Sequence, residues 1–394
     1  MSLKRRISLG CVAALLVSIS LTPLPSQSPR PQAADWPADL APKLDAVIER
    51  GRVQHKIPGL SVAVAVGGQV RYARGFGMAD LEHSAPAKTT TLYRTASVAK
   101  PMTASAVMQL AEQGKLDLDA PIQKYCPAFP EKPWPVTARQ LLAHLGGVRH
   151  YQKPGESSGT THYFGVGDSL AVFKDDPLLH EPGTKFSYTT FGYSVLGCAI
   201  EGASGVRYED YMRERVFHPA GMEHTRTDDH HRILPDRARG YQPLDQATYD
   251  RLPGFLKAQV KVGDVFNAEL HDTSTKVPGG GLLSTAVDLV RFALGSQGGL
   301  LVKKGTLEQM WTPQKTRAGQ EVAMGPNRVG LGWFIGQSRG TKVISHTGGQ
   351  AGTRTALYLF PEKGVVLAVM CNLQNAPLQQ VEKEVLDLLL PAAP

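Results

Sequence analysis

Residues 93–104 read YRTASVAKPMTA, and the role of Ser97 in that stretch decides how the rest of the chain is read. A serine ahead of an apolar-periodic segment is a common helix N-cap, because its hydroxyl accepts a bond from an unpartnered backbone N–H. The segment that follows has helical periodicity. Ala99, Met102, Ala106, Leu110 and Ala111 share one stripe, and Gly114 is a stop signal. Pro101 is tolerated because it falls near the first turn. A catalytic reading needs the same helix. Lys100 would stand one turn above Ser97, and a helix N-terminus favours developing negative charge. Ser-x-x-Lys occurs once in the chain, about as often as chance supplies it, so the motif alone decides nothing.

The chain has 394 residues, enough for two domains or one large enzyme, with an ordinary globular composition of 42% hydrophobic and 20% charged residues. Its net charge of +8 is concentrated at the start: Lys4, Arg5, Arg6 and Arg30 precede residue 35 without an acidic residue among them. The remainder is only mildly basic and has no basic stripe, which argues against nucleic acid as a partner.

Lys4–Arg6 lead an apolar run from Ile7 to Leu21, then a Pro/Ser-rich stretch ending near PQAAD. The run is short for a membrane span and reads as an export signal, which places the protein in the periplasm or outside the cell. A mitochondrial presequence is the alternative, but the apolar residues are continuous rather than amphipathic. A membrane association follows only if this segment stays uncleaved. Beyond it the cysteines are Cys126, Cys198 and Cys371. They allow at most one bridge and are read as small buried hydrophobes.

A helix is expected from about Asp39 to His55. GLSVAVAV and QVRYARGF then flank Gly67-Gly68, a hairpin signal. Residues 101 to 270 have helical patches broken by Pro- and Gly-rich loops, of which 156–169 is the clearest. Strand signals return in VGLGWFI, KVISH, TRTALYLF and GVVLAVM, and a helix from about Leu378 to Leu390 closes the chain. Strands at both ends and helices between them predict a sheet built from both termini with an inserted helical region.

Serine-based hydrolysis of an amide or ester needs a base, a proton carrier for the leaving group and donors for the oxyanion. A lysine can be that base only if its pKa is lowered. Two further motifs follow in order: Tyr188-Thr189-Thr190, and His346-Thr347-Gly348 at the end of an expected strand. The ordered set Ser-x-x-Lys, Tyr-x-Asn, Lys-Thr-Gly is that of serine beta-lactamases and penicillin-binding peptidases, and this chain resembles it. LAEQGKLDLDAPI, GGGLLSTAVDLVRF and VGLGWF are similar to the class C beta-lactamase and D-alanyl peptidase branch. LLAHLGGVRHY, FKDDPLL and YTTFGYSVLG look most like the mitochondrial serine beta-lactamase-like branch and its bacterial relatives. The resemblance spans about residues 37–390.

The resemblance implies an α/β (α+β) fold of the beta-lactamase/transpeptidase type: an antiparallel sheet flanked by helices, plus a helical region, with the site between them. It divides the chain into a signal peptide and linker at 1–34 and a hydrolase domain at 35–394. The sheet part would cover about 35–100 and 271–394, the helical part about 101–270. It further implies that Ser97 attacks the carbonyl and Lys100 takes its proton. Tyr188 would protonate the leaving group and later activate water, and the backbone N–H groups of Ser97 and Gly349 would hold the oxyanion. His346 stands where many relatives have lysine. Thr190 stands where most have asparagine, which weakens the expected grip on a substrate amide. Thr347, Gly348 and Gly349 complete the substrate-binding set. The implied activity is that of a peptidase or amidase on a small peptide, amide or ester, without cofactor. An esterase, or a weak beta-lactamase or D-alanyl-D-alanine carboxypeptidase, is the alternative on the same machinery. A catalytically idle binding or assembly protein is the alternative from another class. No oligomeric state is legible.

Other candidates have plainer readings. His230-His231 beside Asp228 and Asp229 offers no defined ligand spacing, so no metal is expected. His144 and His150 are read as structural, and Gly279–Gly281 as a tight turn near the site. GYSVLG misses the Gly-x-Ser-x-Gly elbow of α/β-hydrolases.

Overall fold

The computed structural model describes residues 36–391; the expected export signal lies outside them. A nine-stranded antiparallel sheet forms the frame. Its first strands are β1 (Gly59–Val66) and β2 (Gln69–Asp80). Gly67 (φ 61°) and Gly68 (φ 80°) join them as the sequence predicts, since a two-residue hairpin needs positive φ at both positions. β1 pairs on its other side with the Val365–Cys371 strand, from Leu60 opposite Cys371 to Val66 opposite Val365. The two ends of the chain therefore meet in the sheet interior.

Both of these strands are buried along their whole length, and the period of two explains how. Leu60, Val62, Val64, Val365, Leu367 and Val369 face one layer, packed on Leu44, Ile48, Val381 and Val385. That layer is α1 (Leu40–Gln54) and the closing Leu378–Leu389 helix. The helices cross closely: a Cβ on Gly51 would stand 2.7 Å from Val381 Cγ2. Ala63, Ala65, Ala368 and Met370 face the opposite layer, where the Ala286–Gln297 helix and the inserted region lie.

At the centre of the inserted region is α2 (Ala99–Glu112). The sequence shows one apolar stripe, but the helix is buried on nearly every side, because other elements enclose it all round. The Phe191–Ser204 helix packs beside it. That helix is bridged through Cys198 to Cys126, with Cα atoms 5.3 Å apart. This corrects the reading of both as isolated hydrophobes; among the described residues, Cys371 is the free thiol, and it is buried.

The region between the sheet halves is not purely helical. Arg226–Thr227 pairs with Leu282–Ser284, which also pairs with Tyr93–Arg94. These three short strands tie the segment just before Ser97 to the inserted region. VGLGWFI is also not one strand. It divides at Gly332 (φ 81°) into Asn327–Val329 and Phe334–Ser338. The expected loop at 156–169 ends in a helical turn at Val166–Ser169.

Candidate active site

Ser97 caps no helix. It sits inside a 3-10 turn at Ala96–Val98 that runs directly into α2, with no side-chain cap bond at either start. The turn is clamped from several sides. Thr95 N–H donates to Leu282 O at 2.9 Å. Thr353 and Thr355 hydroxyls both donate to Arg94 O, at 3.2 and 3.1 Å. From the Thr341–Gln350 strand, Gly348 lies so close that a Cβ would stand 2.6 Å from Thr95 O and 2.9 Å from Ser97 N. No other residue type fits there. Ala96 holds φ 45°, a left-handed conformation that costs a non-glycine residue on the order of 1 kcal/mol.

This turn leaves Ser97 partly exposed while Lys100 is fully buried. Lys100 Nζ is 3.0 Å from Ser97 Oγ, 3.2 Å from Thr190 Oγ1 and 2.7 Å from Gly279 O. The carbonyl can only accept. A neutral amine has two N–H bonds and one lone pair. With Gly279 O and Thr190 Oγ1 taking the N–H bonds, the lone pair is left for the Ser97 proton. Burial drives the Lys100 pKa well below its ordinary value, and the charge of Lys276 adds to the effect. Gly279 comes close to Thr190, where a Cβ would stand 2.6 Å from Thr190 Cγ2. The expected tight turn at Gly279–Gly281 is instead the end of a short helical segment, Val277–Gly280, and it supplies the amine's acceptor.

Tyr188 lies at the cleft, half-buried, with its ring centroid 4.9 Å from Lys100 Nζ. Burial raises its pKa, opposed by a hydrogen bond with Ser97, so the phenol stays protonated at neutral pH. His144 and His150 flank it. The His144 ring lies 4.3 Å from the Tyr188 ring, and its Nδ1 accepts from Thr189 N–H at 3.2 Å. His150 Nδ1 accepts from Thr190 N–H at 3.2 Å. These histidines hold the backbone that carries Tyr188 and Thr190. Thr190 is itself buried, and its hydroxyl is also bonded to Tyr151. Tyr151 and Gly279 fall within the quoted stretches LLAHLGGVRHY and GGGLLSTAVDLVRF without a catalytic role assigned to them there, and Lys276 lies outside every quoted motif.

His346 is buried. Its Nδ1 is 2.8 Å from Thr347 O; a carbonyl only accepts, so Nδ1 carries the proton and Nε2 the lone pair. Burial, and then the Lys100 charge, push its pKa down to about 3. It is therefore a neutral imidazole, not a substitute for a lysine cation. Thr347 and Gly349 are exposed. Their strand pairs with Phe334–Ser338 only through Ser345, while it pairs with Thr353–Phe360 as far as Gln350. Residues 346–350 thus present an unpaired edge beside Ser97.

A cavity of about 700 Å³ lies next to this cleft and not over it. Arg94, Arg237 and His271 line it; Ser97, Lys100 and Tyr188 do not. His162, His230 and His231 come together nearby, apart from the Ser97 cleft.

The chain as a whole is similar to proteins of one known family. The family described as Beta-lactamase matches residues 44–390. The human serine beta-lactamase-like protein LACTB, mitochondrial, is 28% identical, with 91% of this chain and 81% of that protein covered. Penicillin-binding protein 4* of Bacillus subtilis (strain 168) is 28% identical, with 84% and 71% covered. The octameric penicillin-binding protein homologue from Pyrococcus abyssi superposes with a TM-score of 0.72 at 27% identity, covering 89% of this chain and 77% of that one. The D-amino acid amidase from Ochrobactrum anthropi SV3 shares the fold, with a TM-score of 0.74 at 24% identity and coverage of 90% and 99%. The chain belongs to the beta-lactamase family and has its α/β fold.

Proposed function

We propose that this protein is a serine hydrolase that works through an acyl-enzyme on small peptide or amide substrates. One observation carries the reading: a fully buried Lys100 amine, 3.0 Å from Ser97 Oγ, whose other two partners consume its N–H bonds. An idle scaffold has no use for a buried amine aimed at a reachable hydroxyl. Ser97 Oγ attacks the carbonyl carbon as its proton passes to Lys100. The protonated Tyr188 donates to the leaving nitrogen, and water regenerates Ser97 by the reverse path. The N–H groups of Ser97 and Gly349 receive the oxyanion.

The open edge at residues 346–350 favours a substrate with an extended peptide backbone, which can add there as a strand. Thr190 spends its hydroxyl on Lys100 and Tyr151, which leaves little to grip the acylamino group of a beta-lactam. Beta-lactam turnover is therefore the weaker activity. Export from the cytoplasm is part of the same proposal. It is supported by the basic, then apolar start of the sequence and by the Cys126–Cys198 bridge, which suits an oxidising compartment. No helix among the described residues is long and apolar enough to cross a membrane.

The test is labelling with a fluorophosphonate probe, followed by intact mass and peptide mapping. One adduct on Ser97, lost in Ser97→Ala, is the expected result. An adduct on a different serine, or none, overturns the reading.

A further inference from the structure

His162, His230 and His231 lie far apart in sequence terms from any motif of the hydrolytic site, yet the fold gathers them. A side-chain nitrogen from each lies within 4.8 Å of the others. We propose that they bind one divalent transition-metal ion of the zinc class, with Asp272 as the carboxylate that orients His162 and lies against His230.

The argument rests on which nitrogen is free. His162 Nδ1 is 2.7 Å and His230 Nδ1 2.5 Å from the same oxygen, Asp272 Oδ2. His231 Nδ1 faces Asp229 Oδ1 at 3.4 Å. A carboxylate oxygen accepts, so a neutral His162 carries its proton on Nδ1 and offers a lone pair at Nε2, while the His230 and His231 rings lie against their carboxylates without a hydrogen bond. A carboxylate behind a histidine is the arrangement that fixes tautomer and ring orientation in metal sites. Here His162 has it.

Asp272 is built for the task. Its side chain is 2% exposed, and its other oxygen accepts from Ser274 N–H at 2.6 Å. A buried carboxylate held by one imidazole and a backbone donor has little freedom to turn away. The rings remain open to solvent on their outer side: His230 and His231 are 46% and 57% exposed. An ion can enter there and keep water in a remaining position. Zn–N bonds are about 2.0–2.1 Å, so the nitrogens, now up to 4.8 Å apart, draw together when they close on an ion. Three imidazoles select zinc, nickel, cobalt or copper, and not calcium or magnesium, which take oxygen ligands.

The ligands sit on separate segments: the loop before Val166, the turn after Arg226–Thr227, and, for Asp272, the approach to Ser274. A bound ion would staple them. Asp228, beside these ligands, bonds Arg94 at 2.8 Å, three residues before Ser97. Stability is therefore the property the ion changes first.

The test uses the tag-free full chain, stripped with a chelator and titrated calorimetrically with Zn²⁺, Ni²⁺, Co²⁺ and, separately, Ca²⁺ and Mg²⁺. Metal content is measured after gel filtration, and melting temperature with and without Zn²⁺. One Zn²⁺ retained per chain, a higher melting temperature and no response to Ca²⁺ or Mg²⁺ are expected. Asp272→Asn should weaken binding about 10–100-fold, in line with other carboxylates behind metal-binding histidines. His162→Gln and His231→Gln should each weaken it at least about tenfold. The exposed position of His231 makes its variant safe for folding. Sub-stoichiometric retention, or unchanged Zn²⁺ affinity in His231→Gln and His162→Gln, overturns the proposal.

Discussion

The Thr190 hydroxyl lies 3.2 Å from Lys100 Nζ, so the residue that replaces the usual asparagine still holds the lysine. It does so with its single hydroxyl, which it shares with Tyr151. Losing this bond in a closed site costs about 1–3 kcal/mol, or roughly ten- to a hundredfold in rate. Thr190→Val should therefore slow all substrates by that factor. Thr190→Asn should raise efficiency on nitrocefin more than on a nitrophenyl ester that lacks an acylamino group. Efficiency ratios for both substrates in the three proteins check this. A wild type that already hydrolyses nitrocefin like a dedicated beta-lactamase contradicts it.

The direction of the Lys100 shift sets the pH–rate profile. Only the neutral amine accepts the Ser97 proton, and its pKa is well below that of a free lysine. Activity should rise with pH through the lowered value and stay up through neutral pH, because Tyr188 keeps its proton there. Lys100→Arg should be as damaging as Lys100→Ala, since arginine stays protonated. Both should fall to the level of Ser97→Ala, about a thousandfold or more below wild type. Near-normal kcat/KM in Lys100→Arg would remove lysine from the role of base.

Tyr188→Phe separates a proton carrier from a packing residue. It leaves the contact with the His144 ring in place but removes the hydroxyl next to Ser97. Burst and steady-state rates should both drop by about a hundredfold, within the usual range for general acid–base catalysis. An unchanged turnover would make Tyr188 a spacer.

Buried neutral histidines predict how stability depends on pH. His346 is depressed to about 3 and His150 to about 4, in both cases mainly by burial and then by the Lys100 charge. Unfolded, each returns to about 6.5 and takes up a proton that the folded state refuses. Their stabilising contribution is complete above about pH 6.5 and is lost as pH falls towards 4 and 3. Each contributes a slope of up to about 1.4 kcal/mol per pH unit in that window. Urea unfolding at pH 7, 6, 5 and 4 should show it, with a shallower slope in His346→Gln.

The Cys126–Cys198 bridge spans 72 residues. Removing a disulfide from a protein typically costs about 2–4 kcal/mol. Cys198→Ser, or reduction before denaturation, should lower the urea midpoint without changing the pH–rate profile. A midpoint that does not move would mean that the thiols are not joined in solution.

Much of this site was legible because its chemistry is carried by side chains in fixed order. Ser97, Lys100, Tyr188 and His346 announce themselves by type and spacing. The partners of Lys100 do not: Gly279 contributes a carbonyl, and every residue has one. His144 and His150 reach Thr189 and Thr190 from about 40 residues away, a distance that no periodicity encodes. The strands were legible wherever burial on both faces produced an unbroken apolar run, as in GLSVAVAV. The short strands around Leu282–Ser284 were not, because two- and three-residue strands have no period to read. Three cysteines likewise carried no sign of which two would meet.

The pairing of Leu60 with Cys371 also has a bearing on the time course of biosynthesis. β1 is made early, yet its neighbour, ending at Cys371, leaves the ribosome only after the whole inserted region has been synthesised. Contacts so remote in sequence are slow to form, because the intervening chain must first be brought into a closed loop. Until then a strand as apolar as GLSVAVAV has nothing to sit between. The central pairing of the sheet is therefore among the last contacts that the growing chain can make. Products that stop short of residue 365 lack the strand that joins the β1–β2 hairpin to the strands between 327 and 360, so their sheet stays in two halves.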